Sequence, residues 1–460
     1  MLTNITDQIV QEVISKLCLG FGGAMTEFNQ SALGATRQGK SREGESGEME
    51  ILLRGRVRNT IWTIQGYGLA LITFLSFFPA WFHLEEYLFI GLLVVAMVAV
   101  GLEEKTVWDC VRTPIDLPLL LLVGWVLLTI PFATDSVYSF AEWRKLVTQI
   151  LVFYWGLLVL RNQDHRMMTR RMLAVVVLAA MVLFLYSLGD FLARGGTWRN
   201  RDIRAFAPGS DSNYLSSYVV FSIPMLIVAS MMFRAWWQRV VYIGALALAL
   251  LAGVAAYNRA AWLGLMAEGL AFGLLTRRRK VMMWMFACVA VVGIGLFAAS
   301  KVGYQSSTVD PLTLGFRVKV WKLGFSKVLE HPIVGVGYGS HTFMKIFVDS
   351  PEFVDANHLH NTFLMVAMGS GIPALIFFIW TMMRTVRLLI HSAWHMSDWE
   401  KRWLLIGVAV SLIGFLTRNI FEYMFAGSLA YLFWILVATG FAARMAIKQK
   451  DDMGCSKHMD

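Results

Sequence analysis

Around residue 360 the chain reads Asp355-Ala356-Asn357-His358-Leu359-His360-Asn361 and runs directly into an apolar segment. Histidine is the side chain best poised to exchange a proton near neutral pH, so an imidazole at the mouth of a helix suits the task of deprotonating a hydroxyl. His358 and His360, with Asp355 as a third group, are also a conceivable metal-ligand set, and the plainest reading is a histidine that caps or anchors a helix at an interface. No second dense cluster of His or carboxylate accompanies them, and the expectation is no metal ion and no cofactor. Arg259 stands in Tyr257-Asn258-Arg259-Ala260-Ala261-Trp262, a turn with almost no loop between two apolar runs, so its guanidinium lies at or within an interface and needs a partner. Arg194, Arg199, Arg201, Arg204, Arg317 and Arg418 also fall in the segments that separate apolar runs. A guanidinium can donate two parallel charge-assisted hydrogen bonds to a phosphate. The alternative is that these arginines snorkel to lipid headgroups or pair with Asp202, Asp211 or Glu422. A glycine-rich run, His331-Pro332-Ile333-Val334-Gly335-Val336-Gly337-Tyr338-Gly339, allows a tight turn and close backbone approach, for which turn chemistry is a simpler account than phosphate binding.

The elements that must position these residues are membrane helices. A chain that is 57% hydrophobic and 16% charged carries more apolar surface than a soluble core buries. The apolar residues gather in runs of about 18 to 25, the length a helix needs to cross a bilayer, and lack the alternation of a transmembrane barrel. About twelve such runs are centred near Leu71, Val94, Leu122, Val152, Ala180, Ile223, Leu248, Ala267, Val291, Phe377, Val410 and Phe433. The net charge of +10 is dispersed among them and forms no basic domain, so no nucleic-acid partner is expected. Clusters at Arg54, Arg56 and Arg58, at Arg161, Arg166, Arg170 and Arg171, at Arg277 to Lys280, and at Arg384 and Arg387 alternate in step with twelve crossings and place both termini in the cytoplasm. The same assignment sends outward residues 193–213, the turn at Arg259, the long segment 301–360 and residues 418–428. The four cysteines show no disulfide or metal spacing, and the first residues do not resemble a cleaved signal peptide. Ile5, Ile9, Val10, Val13, Ile14 and Leu17 recur at helical spacing, followed by a polar stretch from Asn29 to Glu50 that reads as a linker. Phe316, Val320, Leu323 and Val328 alternate with basic residues and predict an amphipathic helix on the membrane surface. The resulting organisation is an N-terminal tail, 1–58, a transmembrane region, 59–447, and a C-terminal tail, 448–460.

His360-Asn361, nine residues, then Gly371 resembles the signature histidine motif of the bacterial O-antigen ligases and their relatives, the Wzy-type polymerases and protein O-oligosaccharyltransferases. Ala374, after Pro373, departs from the residues usual there in the family. Asn258-Arg259-Ala260-Ala261-Trp262-Leu263-Gly264-Leu265 is similar to the arginine-containing helix start of that superfamily. Phe316-Arg317, Trp321 and the glycine-rich run resemble the opening of its large periplasmic loop, and Arg204-Ala205-Phe206 with Asn213-Tyr214-Leu215 resembles a further segment, with Ala207 where glycine is usual.

The resemblance implies an all-α polytopic fold of the GT-C glycosyltransferase type, in the bacterial inner membrane, with the segment 301–360 as a periplasmic loop. It implies an O-antigen ligase that moves a glycan from undecaprenyl diphosphate to a sugar hydroxyl of lipid A-core in lipopolysaccharide biosynthesis, without a metal ion and with inversion. His360 would be the base and Arg259, Arg317 and Arg204 the diphosphate ligands, with support from Asn361, His358 and Arg418. The partners implied are the lipid-linked donor, the lipid A-core acceptor and membrane lipids. A polymerase or a protein O-oligosaccharyltransferase would share the chemistry and differ in acceptor. A flippase for a lipid-linked glycan would also want arginines within the membrane, though no inverted repeat is evident.

Overall fold

A computed structural model describes residues 42–101, 111–163, 165–197, 203–233, 235–277, 311–347 and 358–456. Every regular element among them is helical. The helices are α1 (Arg42–Leu75), α2 (Phe82–Gly101), α3 (Asp116–Thr129), α4 (Ser136–Arg161), α5 (His165–Ala193), α6 (Ser212–Met232), α7 (Trp236–Ala255), α8 (Arg259–Thr276), α9 (Pro311–Glu330), α10 (Ser340–Phe347), α11 (Thr362–His395), α12 (Trp399–Arg418) and α13 (Gly427–Ser456). The chain divides into units 1–59 and 60–460.

Among the described residues, seven helices are long and apolar enough to cross a membrane. They coincide with the runs expected near Val94, Val152, Ala180, Ile223, Leu248, Phe377 and Phe433. The runs near Leu71, Leu122, Ala267 and Val410 also form helices, α1, α3, α8 and α12, but these fall short of that standard in length or apolarity. The run near Val291 lies outside the described residues. The stretch read as a linker up to Glu50 is helical from Arg42 onward. Its composition explains the difference: Glu43, Glu45, Glu48 and Glu50 fall in the first turns, and glutamate is a good helix former whose charge is favoured there.

Burial separates central from peripheral helices. α12 packs against both α6 and α8, α13 packs against α4, and α11 packs against α3 and α12. α6 and the apolar part of α13 are buried on nearly every side, whereas α2 and α7 expose most of their apolar side chains. A helix apolar all round belongs in a protein core or in lipid, and this bundle contains both cases. Chain direction then assigns the ends. The first residues of α4, α6, α8, α11 and α13 and the last residues of α5, α7 and α12 share one end, where Thr134, just before α4, donates its N–H to Val336 O at 2.9 Å and the others are tied together by the contacts described below. Arg161, Arg170, Arg171 and Arg277 lie at helix termini of the other end.

α11 is broken by a kink that the glycine-rich run stabilises. Gly371 has φ +82° and Ser370 is also non-helical, while Pro373 has no N–H to give to the preceding turn. The carbonyls freed at Met368 and Gly369 accept from the N–H groups of Val336 and Gly337 at 2.8 and 2.9 Å, and Ile372 N donates to Pro332 O at 2.8 Å. A Cβ at Gly371 would meet Ile333 O at 2.0 Å, so only glycine permits this approach. The glycine of the histidine motif therefore serves backbone docking. α9 forms as expected, but its apolar side packs on protein: Val320 and Val328 are buried in a cluster with Leu359, Met365, Ala367 and Met368.

Candidate active site

Glu422, in the turn between α12 and α13, is the centre of the polar cluster at the first of these ends. Its side chain is completely buried, and its oxygens are divided among three partners. Oε1 lies 2.6 Å from His360 Nδ1 and 2.9 Å from His358 Nε2, and Oε2 accepts from the Arg317 guanidinium at 3.1 Å. An ionised carboxylate only accepts, so the ring nitrogens facing it must be the protonated ones. His360 is then held with Nδ1–H donating to Glu422 and Nε2 left as the basic nitrogen. A carboxylate orienting an imidazole in this way fixes its tautomer and stabilises the imidazolium formed when it takes a proton. Burial works to raise the Glu422 carboxyl, but the hydrogen bonds from His358 and His360 outweigh it and hold the group well below the usual carboxylate range.

Local sequence explains how His360 reaches this position. Asn361 is the N-cap of α11, its side chain accepting from Leu364 N at 2.9 Å. His360 itself has φ +49°, a left-handed conformation that costs roughly 1 kcal/mol or more in a residue with a Cβ. Thr362 holds the strained segment against the Glu422 turn: its N–H donates to Asn419 O at 2.9 Å and its hydroxyl lies 2.6 Å from Asn419 Oδ1. The side chains of His358, His360 and Arg317 remain partly exposed, at 21%, 21% and 24%, so each can still meet a ligand.

The remaining expected residues divide into two groups. Arg259 is the first residue of α8, exposed and immediately after the N-cap Asn258. Asn258 Nδ2 donates to Asn213 Oδ1, and Asn213 O accepts from Arg418 at 2.7 Å, which connects the start of α8 to the end of α12, four residues before Glu422. Arg204 is exposed in the segment before α6; its carbonyl accepts from Arg194, and its neighbour Ala205 donates to Ala255 O. Arg418 has a different environment. Its side chain is fully buried and donates to the hydroxyls of Ser216 and Ser217 as well as to Asn213 O, joining α12 to α6. These bonds tie the end of α12 to the start of α6. Arg199, Arg201 and Asp355 lie outside the described residues.

Sequence reasoning weighed Glu422 only as a neutralising partner for arginine, and no local spacing marks it as a partner of His360. Its signal is a carboxylate beside Arg418 in a short segment between two apolar helices, where a charge needs a reason. His358, His360 and Glu422 also bring one ligand atom each within 4.8 Å of one another, a set of the kind that holds zinc.

Among the described residues the chain is a bundle of helices, several of them long and apolar enough to cross a membrane, that sets an imidazole and a guanidinium on one buried carboxylate. Residues 244–379 match the family model described as O-Antigen ligase, the family whose histidine motif His360, Asn361 and Gly371 resemble. No curated protein matches the chain. The matched region contains Arg259, Arg317, His358, His360, Asn361 and Gly371, while Arg204, Arg418 and Glu422 lie beyond it.

Proposed function

We propose that the chain is a polyprenyl-diphosphate-dependent glycosyltransferase, transferring a glycan from undecaprenyl diphosphate to a sugar hydroxyl of lipid A-core. His360 Nε2 takes the proton of the acceptor hydroxyl, and the oxygen attacks the anomeric carbon as the bond to the diphosphate oxygen breaks. The diphosphate leaves with the electron pair, and attack opposite the leaving group inverts the anomeric centre. Arg317, Arg259 and Arg204 meet the developing negative charge with preorganised donors. The N-termini of α6, α8 and α11, gathered at the same end, add partial positive charge there. Asn361 and His358 hold the base in place. The positive-inside rule makes the arginine-rich end cytoplasmic, together with the tails 1–58 and 448–460, so the site faces the periplasm across an inner membrane with a GT-C arrangement of about twelve helices.

The observation that carries this reading is the attachment of His360 and Arg317 to the two oxygens of one carboxylate, Glu422. It puts a proton acceptor beside an anion-binding group, as displacement of a phosphate leaving group by a hydroxyl requires. The test is reconstitution of the full chain with a lipid-linked glycan and, in turn, lipid A-core, a second glycan and a hydroxyl-bearing peptide. Glycosylated lipid A-core is expected, while product on either other acceptor would reassign the enzyme to polymerase or protein transferase. His360→Asn keeps a residue tolerant of the left-handed backbone and should lower turnover by roughly 10³ to 10⁴-fold. Near wild-type turnover would remove His360 as base. Activity lost to a chelator and restored by zinc would assign His358, His360 and Glu422 to a metal instead.

A further inference from the structure

At the end of the bundle away from His360, a groove of about 710 Å³ runs between α5 and α7. Arg170 and Arg171 stand at its mouth, and Ala174, Met181, Trp237 and Val241 are among its walls. From Arg170 to Met181 the helix rises roughly 16 Å at about 1.5 Å per residue. That is about half of a hydrocarbon core roughly 30 Å thick, the depth of one leaflet. The groove is therefore apolar over the span of an acyl chain and basic where a headgroup would lie. Trp237, exposed near the start of α7, has the amphipathic ring that favours the membrane interface.

Among the described residues the two arginines at the mouth meet a single carboxylate. An adjoining cavity of about 570 Å³ shares Arg170, Phe233 and Gln238 with the groove and adds Glu400, the one carboxylate among the described residues that line either cavity. Arg170 donates to Glu400 at 2.6 Å and so neutralises it. The Arg171 guanidinium lies 5.6 Å from the centroid of the Tyr67 ring, whose face orients it without neutralising it. Among the described residues lining the two cavities one positive charge is left over, that of Arg171, with guanidinium N–H groups suited to a phosphodiester.

We propose that this groove is a binding site for one anionic phospholipid of the adjacent leaflet. The walls accept any acyl chain, so discrimination comes from the headgroup. A lipid with a net negative charge, such as phosphatidylglycerol, meets Arg171 without bringing a cation of its own. Phosphatidylcholine carries an ammonium that Arg171 repels. The site is separate from the Glu422 cluster and does not depend on the reaction assigned to it.

Native mass spectrometry of the full-length protein, incubated with phosphatidylglycerol and phosphatidylcholine of identical chains, tests the proposal. Preferential retention of phosphatidylglycerol is expected. Arg171→Gln should reduce the preference roughly fivefold, the effect of about one basic residue at an anionic surface, and Arg171→Lys should restore most of it. Ala174→Trp fills the groove while keeping its charge, and should cut retention of both lipids without changing glycan transfer. Equal retention of the two lipids, or a preference unchanged in Arg171→Gln, overturns the headgroup assignment. Undiminished phosphatidylglycerol binding in Ala174→Trp overturns the groove as the site. Melting temperatures close to wild type in both variants exclude misfolding as the cause of a loss.

Discussion

Arg418 and Glu422 lie four residues apart at the same end of the molecule, and their surroundings give them opposite roles. The Arg418 guanidinium is fully buried, and its terminal nitrogens bond Ser216, Ser217 and Asn213 O. Around Glu422 the carboxylate is equally buried, but its partners His358, His360 and Arg317 are partly exposed and keep polar atoms directed elsewhere. A buried charge bonded to the hydroxyls and carbonyl of a neighbouring helix holds helices together. A charge whose partners reach the surface can prepare them for a ligand. Residue type does not distinguish these cases, because arginine serves in both clusters.

The largest effect should come from Glu422→Gln. An amide can donate to the ring nitrogen it faces and so favour the wrong tautomer of His360, and turnover should fall roughly 10³ to 10⁴-fold in the reconstituted assay. The same substitution has a pH signature. Because the folded Glu422 carboxyl is held below its unfolded value of about 4.3, its contribution to stability is complete above that pH and is lost as the pH falls toward the folded value. Melting curves of wild type and Glu422→Gln should thus differ most near neutrality and converge in acid. A difference that grew in acid would contradict an ionised Glu422.

Arg317→Lys keeps the charge but not the planar fork, and should reduce turnover by roughly 10²-fold if a diphosphate is gripped by paired donors. Unchanged kinetics in this variant would leave Arg317 with no role beyond neutralising Glu422. Arg418→Met should show the reverse pattern. Its melting temperature should drop, reflecting a loss of about 3 kcal/mol or more from leaving buried polar groups unpaired, while turnover per folded molecule stays within about threefold of wild type. A selective loss of turnover in soundly folded Arg418→Met would erase the distinction between the two clusters.

Much of the scaffold was legible because membrane helices announce themselves by long apolar runs: seven expected crossings meet spanning helices, and the others that are described are helical. The helical start at Arg42 was missed, since a polar, charged stretch carries no apolar periodicity even where glutamates favour a helix. The amphipathic pattern of α9 was legible too. Its partner was not, because an apolar face fits a bilayer and a neighbouring helix equally well. The sequence offered Asn361 only as support for His360 and Gly371 only as part of a motif; that the first caps α11 and the second admits a close backbone came from the structure.

The amino-acid order by itself established a helical membrane protein, the arginines between its apolar runs, and a histidine at the start of a capped helix. These are local properties, set by side-chain polarity and spacing along one segment. Tertiary structure alone decided that His360 and Arg317 meet on Glu422 and that Arg418 is confined to the interior. Those pairings join residues 62, 105 and more than 200 positions apart. Hydrogen bonds of about 3 Å between such distant groups depend on how helices pack, and no local pattern encodes that.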